Sequence, residues 1–237
     1  MVNLSYDLHI HSCLSPCGDE DMTPANIAGM AAVKGLDVIA ITDHNSCKNC
    51  KAVIEAGKAY GIIVIPGMEL CTIEEVHVLC LFPTLSNALD FDAYVDSKSN
   101  YFPNDEAIFG RQIRYNEHDE IIGFEPNLLI NGVNISFDQV WEVVRRFKGI
   151  MIPAHIDKNS NSLLSNLGFV PPDSKFRCVE FKDMTKLHSL TEKNPYLKEC
   201  TIISNSDAHY LEHINEPYLT IQAASKTPDD ILQALNR

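Results

Sequence analysis

The chain has 237 residues, 45% hydrophobic and 22% charged, an ordinary globular composition with enough apolar mass for one sizeable α/β core. A formal net charge of −13 argues against sequence-independent binding along a nucleic-acid backbone, which needs clustered Lys and Arg, so a long nucleic acid is not expected as a partner. No run approaches the roughly 18 apolar residues of a membrane span, so no membrane partner is expected either.

The first predicted element carries the first chemistry. Tyr6-Asp7-Leu8-His9-Ile10-His11 reads as a strand, and residues at i and i+2 of a strand share a face. His9 and His11 therefore form a pair able to grip one ion, with Asp7 expected on the same face as a partner that orients an imidazole. No basic-then-apolar leader precedes this strand, and the eight cysteines are irregularly spaced, several of them in apolar runs. Buried thiols in a cytoplasmic enzyme are the expectation.

A loop of Pro, Gly and acidic residues follows, then Thr23-Pro24 as N-cap and first turn of a helix that ends at Gly35. Residues 36–42 (LDVIAIT) are a strand covered on both faces, ending in Asp43-His44-Asn45-Ser46. A helix is expected from Cys47 to Tyr60, a strand over 62–66 running into Gly67-Met68-Glu69, and a strand over 77–81 that begins with His77. This alternation is the rhythm of a parallel sheet or barrel.

The rhythm loosens after a helix over 87–97. Residues 98–135 read as an insertion, with a β-hairpin formed by the runs starting at Arg111 and Glu120. Ser136 and Gln139 form a capping box for a helix to Phe147, whose Trp141, Val144 and Phe147 stripe is expected in the core. Further strands end in Ala154-His155-Ile156-Asp157, in Glu180-Phe181 and in Ser206-Asp207-Ala208-His209, before a terminal helix begun by Thr227-Pro228. Without linkers or repeats, residues 1–237 are expected to form a single domain.

Six of the nine histidines, with Glu69 and Asp207, thus stand where strands meet loops. Parallel strands bring such residues to one end of a barrel. An N/O donor set of this size suits two or three divalent ions of the Zn, Mn or Fe type, and paired cations activate water and clamp phosphoryl oxygens.

Asp7-Leu8-His9-Ile10-His11, Thr42-Asp43-His44, Gly67-Met68-Glu69, Ala154-His155 and Asp207-Ala208-His209 together resemble the PHP (polymerase and histidinol phosphatase) superfamily, in its motif order and over essentially the whole chain. The resemblance implies a distorted TIM-like (β/α)7 barrel with a trinuclear metal site hydrolysing phosphoesters. It implies His9, His11, Glu69 and Asp207 around one ion, Glu69, His77 and His155 around a second, and His44 and His209 around a third. The third ion takes one more ligand from the loop after the first strand. That loop, Ser15-Pro16-Cys17-Gly18-Asp19, is about three residues longer than the Ser-Asp-Gly of many small members; Asp19 is favoured, with Cys17 as the alternative.

Asp43 and Asp157 are candidate partners of the ligand histidines, and Lys158, Lys182 and Arg111 are candidates for holding a phosphate. Cys47-x-x-Cys50 with Cys13 and Cys17 has thiolate-site spacing, but its place at a helix start beyond His44 favours buried thiols; His118, His188 and His213 are expected at the surface. The expected activity is hydrolysis of a small phosphomonoester or nucleotide-like phosphoester by metal-activated water, with no nucleophilic side chain. The rivals are an amidohydrolase-type reaction, disfavoured because no lysine stands at a strand end to bridge metals, and a metal-binding regulatory module without turnover.

Overall fold

The computed structural model describes all 237 residues. In chain order the elements are β1 (Val2–Ile10), α1 (Pro24–Lys34), β2 (Val38–Ile41), α2 (Cys50–Tyr60), β3 (Ile63–Cys71), β4 (His77–Leu81) and α3 (Leu85–Asp96). Then come α4 (Glu106–Phe109), β5 (Ile113–Tyr115), β6 (Ile121–Phe124), α5 (Phe137–Arg146), β7 (Ile150–Pro153) and α6 (Leu163–Leu167). The chain closes with β8 (Cys178–Glu180), α7 (Leu187–Lys193), β9 (Thr201–Ile203), β10 (Thr220–Ala223) and α8 (Pro228–Leu235).

Six strands form one curled sheet in the order β10-β1-β2-β3-β4-β7, and β8 and β9 pair parallel beside it. A few backbone hydrogen bonds complete the ring. Ile156 N–H donates to the Glu180 carbonyl at 2.9 Å, joining β7 to β8, and His11 N–H donates to the Ala208 carbonyl at 3.0 Å, joining the chain after β9 to β1. The result is the distorted barrel that the motif order implies. β10 lies outside the ring, paired antiparallel with the first residues of β1.

The strand directions depart from a uniform parallel barrel. β1, β2 and β3 are parallel, but β4 returns antiparallel on β3 and β7 is antiparallel to β4. β3 also runs longer than the sequence pattern predicts. Its first half pairs with β2 as far as Pro66, and its second half, from Gly67, pairs with β4. Pro66 has no N–H to offer, and it falls where the strand exchanges one partner for the other.

Two apolar cores result. Leu4, Tyr6, Leu8, Val38, Ala40, Ile65, Leu79 and Ile152 fill the barrel, and Ile231, Leu232 and Leu235 of α8 pack into the same cluster. The alternate residues, among them Ile39, Ile41, Val78 and Cys80, face outward against Ile27, Ala31, Val53 and Phe91 of the helices. Helix ends follow the capping chemistry: Thr23 and Thr84 accept the Asn26 and Asn87 N–H groups, and Gly35 and Gly61 adopt positive φ after α1 and α2. α2 begins three residues later than its pattern predicts, because the Cys47 N–H donates to the Asp92 carboxylate at 2.6 Å and draws that turn towards α3. Of the expected stripe Val144 is buried, alongside Val140 and Val143; Trp141 and Phe147 pack only partly buried against the core, with Arg145 and Lys175 stacked on Trp141 at 4.6 and 4.7 Å.

The segment 98–135 contains the expected hairpin, β5 against β6. It packs on the loops that leave β1 and β2. Ile113 N–H donates to the Cys13 carbonyl at 2.8 Å, and the Asn45 amide donates to the carbonyls of Leu129 and Asn131 at 2.7 and 2.8 Å.

Gly67 is held at close quarters: a Cβ there would stand 2.6 Å from Leu81 Cδ2 and 3.0 Å from the Cys80 carbonyl oxygen. Gly67→Ala is therefore expected to destabilise the fold by about 1–3 kcal/mol, the usual cost of overpacking. Equilibrium urea unfolding measures this, and an unchanged midpoint would contradict the packing described.

Candidate metal centre

Two local irregularities aim the side chains. The β1–β2 register slips between Asp7 and Ile10, a bulge that inserts one extra residue on β1. Before it the even-numbered residues face the barrel interior; after it Ile10 faces the helices with Ile41, and His9 and His11 turn inward. The second irregularity is backbone strain. His155 and Asp207 adopt φ of 29° and 54°, and Asn45 adopts 46°, conformations that L-residues avoid unless the surroundings impose them.

At the mouth of the barrel the carboxylate of Glu69, 1% exposed, faces five imidazoles. Its Oε1 lies 3.3 Å from His9 Nε2, 2.9 Å from His77 Nδ1 and 3.0 Å from His155 Nε2. Its Oε2 lies 3.3 Å from His11 Nε2 and 3.0 Å from His44 Nδ1. His77 reaches this point because β4 is antiparallel: the start of β4 lies beside the end of β3, with His77 opposite Cys71. Asp207 Oδ1 lies 3.4 Å from both His9 Nε2 and His11 Nε2.

The donors fall into three groups whose atoms lie within 4.8 Å of one another: His9, His11, Glu69 and Asp207; His44, Glu69 and His77; and His11, His44 and His209. His155 contacts Glu69 but belongs to none of them. In the first group the His9–His11, His–Glu69 and His–Asp207 separations are all 3.2–3.4 Å. Four N/O donors each about 2.1 Å from a common tetrahedral centre would lie about 3.4 Å apart. His44 Nδ1 and Glu69 Oε2, though 3.0 Å apart, and His155 Nδ1 are moreover buried without making a hydrogen bond of good geometry, a costly state for polar atoms. Donor chemistry, spacing and orphaned atoms all fit divalent cations.

The charges respond to one another. Burial opposes a charged His9, but Glu180, Glu69 and Asp207 outweigh it and hold its pKa well above the ordinary value. Burial likewise opposes a charged His77, and Glu69 overcomes it, raising that pKa to about 10. His44 goes the other way, lowered to about 3 by burial with the positive His11 and His77 nearby; His209 is lowered to about 4 by burial and His11. Against the burial penalty, the facing histidines hold the Glu69 carboxyl far below the usual carboxylate range.

A second layer fixes the rings. Glu180, which carried no role in the sequence reading, accepts from His9 Nδ1 at 3.0 Å, from the His155 N–H at 2.7 Å and from the Asn205 amide at 2.7 Å. A carboxylate at the end of a buried strand was the available signal. Asp43 acts through a hydroxyl: Ser15 donates to it at 2.7 Å and lies 2.9 Å from His11 Nδ1. Asp7 touches no imidazole, since the bulge separates its face from that of His9; it accepts the N–H groups of Ser206 and Asn215 and so holds the loop that carries Asp207. Asp157 also touches no imidazole and accepts from the N–H groups of Lys182 and Asp183.

Asp19 and Cys17 both lie outside the three donor groups; the Asp19 carboxylate accepts the Asp21 N–H at 2.9 Å, and Cys17 is exposed. Lys158 Nζ contacts Asp207 Oδ2 at 3.0 Å, Lys182 donates to the Ser206 carbonyl, and Arg111 is paired with Glu20. Cys47 and Cys50 are buried and both donate to the Gly67 carbonyl, at 3.2 and 3.5 Å. His118, His188 and His213 are exposed.

The PHP domain profile matches residues 7–162. A 5'-3' exoribonuclease of Haemophilus influenzae is 33% identical over 79 residues, which are 32% of this chain and 28% of that protein. The matched stretches span only 44% and 28% of the two curated relatives. Among solved structures, the lesion-specific endonuclease Q of Pyrococcus furiosus superposes with a TM-score of 0.68 at 19% identity, covering 99% of this chain and 56% of that one. A putative metal-dependent phosphoesterase from Bifidobacterium adolescentis superposes at 0.60 and 16% identity, over 97% of this chain and 94% of that one.

Endonuclease Q has also been solved with a 27-mer duplex substrate carrying an abasic lesion at the active site, and that structure superposes at 0.66 with 20% identity, over 99% of this chain and 56% of that one. This corrects the expectation of a small phosphorylated partner, with long nucleic acid not expected. A net charge of −13 is a whole-chain sum, whereas an arriving phosphate meets the local field of the site. No helix is long and apolar enough to cross a membrane.

Two predictions follow from the charge pattern and the second layer. His77 and His9 hold protons in the metal-free protein at pH 7, and those protons must leave before the ring nitrogens bind a cation. Metal affinity is therefore expected to rise from pH 6 to 8 with proton release, read by calorimetry as an apparent enthalpy that changes with the buffer's ionisation enthalpy. Buffer-independent enthalpies would contradict the assignment. Glu180→Gln is expected to weaken metal binding about 10–100-fold, measured by chelator competition, because the carboxylate that orients His9 is lost.

Proposed function

The chain belongs to the PHP domain family, and from that premise we propose that it is a metal-dependent hydrolase of phosphoester bonds, with nucleic acid among its substrates. The observation that carries this reading is the buried Glu69 carboxylate facing five imidazole nitrogens at 2.9–3.3 Å. His9, His11, Glu69 and Asp207 would hold one cation and His44, Glu69 and His77 another, with His11, His44 and His209 available to a third. When bound, such ions supply Lewis acidity to a water and to phosphoryl oxygens.

The chain's own residues prepare that chemistry. Glu180 engages His9 Nδ1 and Ser15 engages His11 Nδ1, leaving the two Nε2 atoms turned towards each other across 3.2 Å. Glu69 draws together imidazoles from five separate positions in the chain, and its own negative charge is retained by them. Lys158, 39% exposed on its side chain, stands at the rim with its ammonium against Asp207, where an incoming phosphoryl group would meet it. No Ser or Cys nucleophile is required. No carbamylated lysine bridges the donors: Lys158, the lysine in contact with them, reaches Asp207 through its ammonium.

The test is metal analysis of the purified protein with a panel of phosphomonoesters, phosphodiesters and oligonucleotides, comparing wild type with His9→Ala and Glu69→Ala. Two or three transition-metal equivalents and phosphoester turnover are expected in wild type, with turnover at least 100-fold lower in both variants. Full metal loading with no turnover of any phosphoester would overturn the proposal.

A further inference from the structure

Beside the metal cluster lies an open cavity of about 440 Å³ lined by Ile156, Asp157, Lys158, Asn159, Leu164, Ser165, Lys186 and Leu190. Lys158 belongs to both places: its side chain lines the cavity and its Nζ contacts Asp207, a member of the first donor group. Lys186, 46% exposed on its side chain, also lines the cavity and rests its Nζ 3.2 Å from the Asp157 carbonyl oxygen, 3.7 Å from the Asp157 carboxylate and 3.9 Å from the Asp183 carboxylate. Between the cavity and the cluster, Lys182 donates to the carbonyl of Ser206, the residue before Asp207.

Asp157 holds these parts in register. Its carboxylate accepts the N–H groups of Lys182 and Asp183 at 2.7 and 2.9 Å, so the loop after β8 is fixed against the loop after β7. The carboxylates facing the lysines are each engaged elsewhere as well: Asp207 towards His9 and His11, Asp157 on those two N–H groups, and Asp183 on the Thr185 N–H and hydroxyl. An ammonium has three donors, and the single contacts of Lys158 and Lys182 leave two free on each.

We propose that this cavity is a phosphate subsite that receives the phosphodiester next to the one at the metal cluster, so that the substrate is a nucleic-acid strand. The proposal rests on the phosphoesterase reading and deepens it by assigning the residues that hold the substrate's neighbouring phosphate. A monoester has one phosphate and would leave the cavity without its anion. A strand offers a second phosphate one nucleotide away for Lys158 and Lys186, which both line the cavity, to meet.

The test is fluorescence anisotropy of 5′-fluorescein hexadeoxythymidylate on the metal-loaded protein, read at initial amplitude. It is compared with the same strand in which every linkage but one is a neutral methylphosphonate. Wild type is expected to lose at least tenfold in affinity when the linkages are neutralised, and Lys186→Ala less than threefold, with Lys186→Arg restoring the wild-type loss. The slope of log affinity against log salt should fall by about 0.7 in Lys186→Ala, one phosphate contact on a single strand. Equal losses in wild type and Lys186→Ala would overturn the subsite even if phosphoesters are cleaved. The expected losses without cleavage of any phosphoester would uphold the subsite and overturn the phosphoesterase reading instead.

Discussion

The structure depends on one electrostatic constraint: a carboxylate shut away from water at the junction of β3 and β4, with five imidazoles turned towards it. A lone buried carboxylate would take up a proton, because burial disfavours its charge. Glu69 keeps its charge because the surrounding rings supply the opposite one, and His9 and His77 hold protons for the converse reason. The cluster is thus a set of mutually neutralising charges in which a cation would compete with protons for the rings of His9 and His77.

That constraint explains the form of the barrel around it. A uniform parallel barrel would send the start of β4 to the opposite end, with His77 far from Glu69. The tight antiparallel return at 71–77 keeps both at the same mouth. The bulge in β1 does similar work for His9 and His11, and the left-handed turns at His155 and Asp207 bring in two more side chains from strands that end nearby. At these positions the interactions made by the side chains offset the cost of the irregular backbone.

Much of this was legible in the sequence. Buried strands such as LDVIAIT announce themselves by unbroken apolar runs, and Thr23-Pro24, Thr227-Pro228 and the Ser136–Gln139 box mark helix starts by hydrogen-bonding chemistry that is local. The polar residues at strand ends were equally plain. What period-two alternation does not carry is a bulge, so Asp7 was expected to face His9 when the extra residue separates them. Glu180 was passed over because an acidic residue in an apolar strand has no sequence-level partner; its partners, His9 and Asn205, come from strands that only the closed ring brings together. Net charge misled about nucleic acid for a related reason, since a sum over the chain has no spatial content.

The ring also closes late along the chain. The donors gathered around Glu69 come from residues 9–155, but Glu180, Asp207 and His209, and the Ile10–Ala208 bridge that joins the last stave to the first, lie beyond residue 177. A chain emerging from the ribosome would present the imidazoles well before the carboxylates that complete their surroundings. Contacts between residues about 200 positions apart are among the slowest to form. Until then the half-made barrel lacks Asp207 and His209, so two of the three donor groups are incomplete. Closing the ring and completing the donor groups are therefore one structural event, because Asp207 and His209 flank the Ala208 that bridges to Ile10.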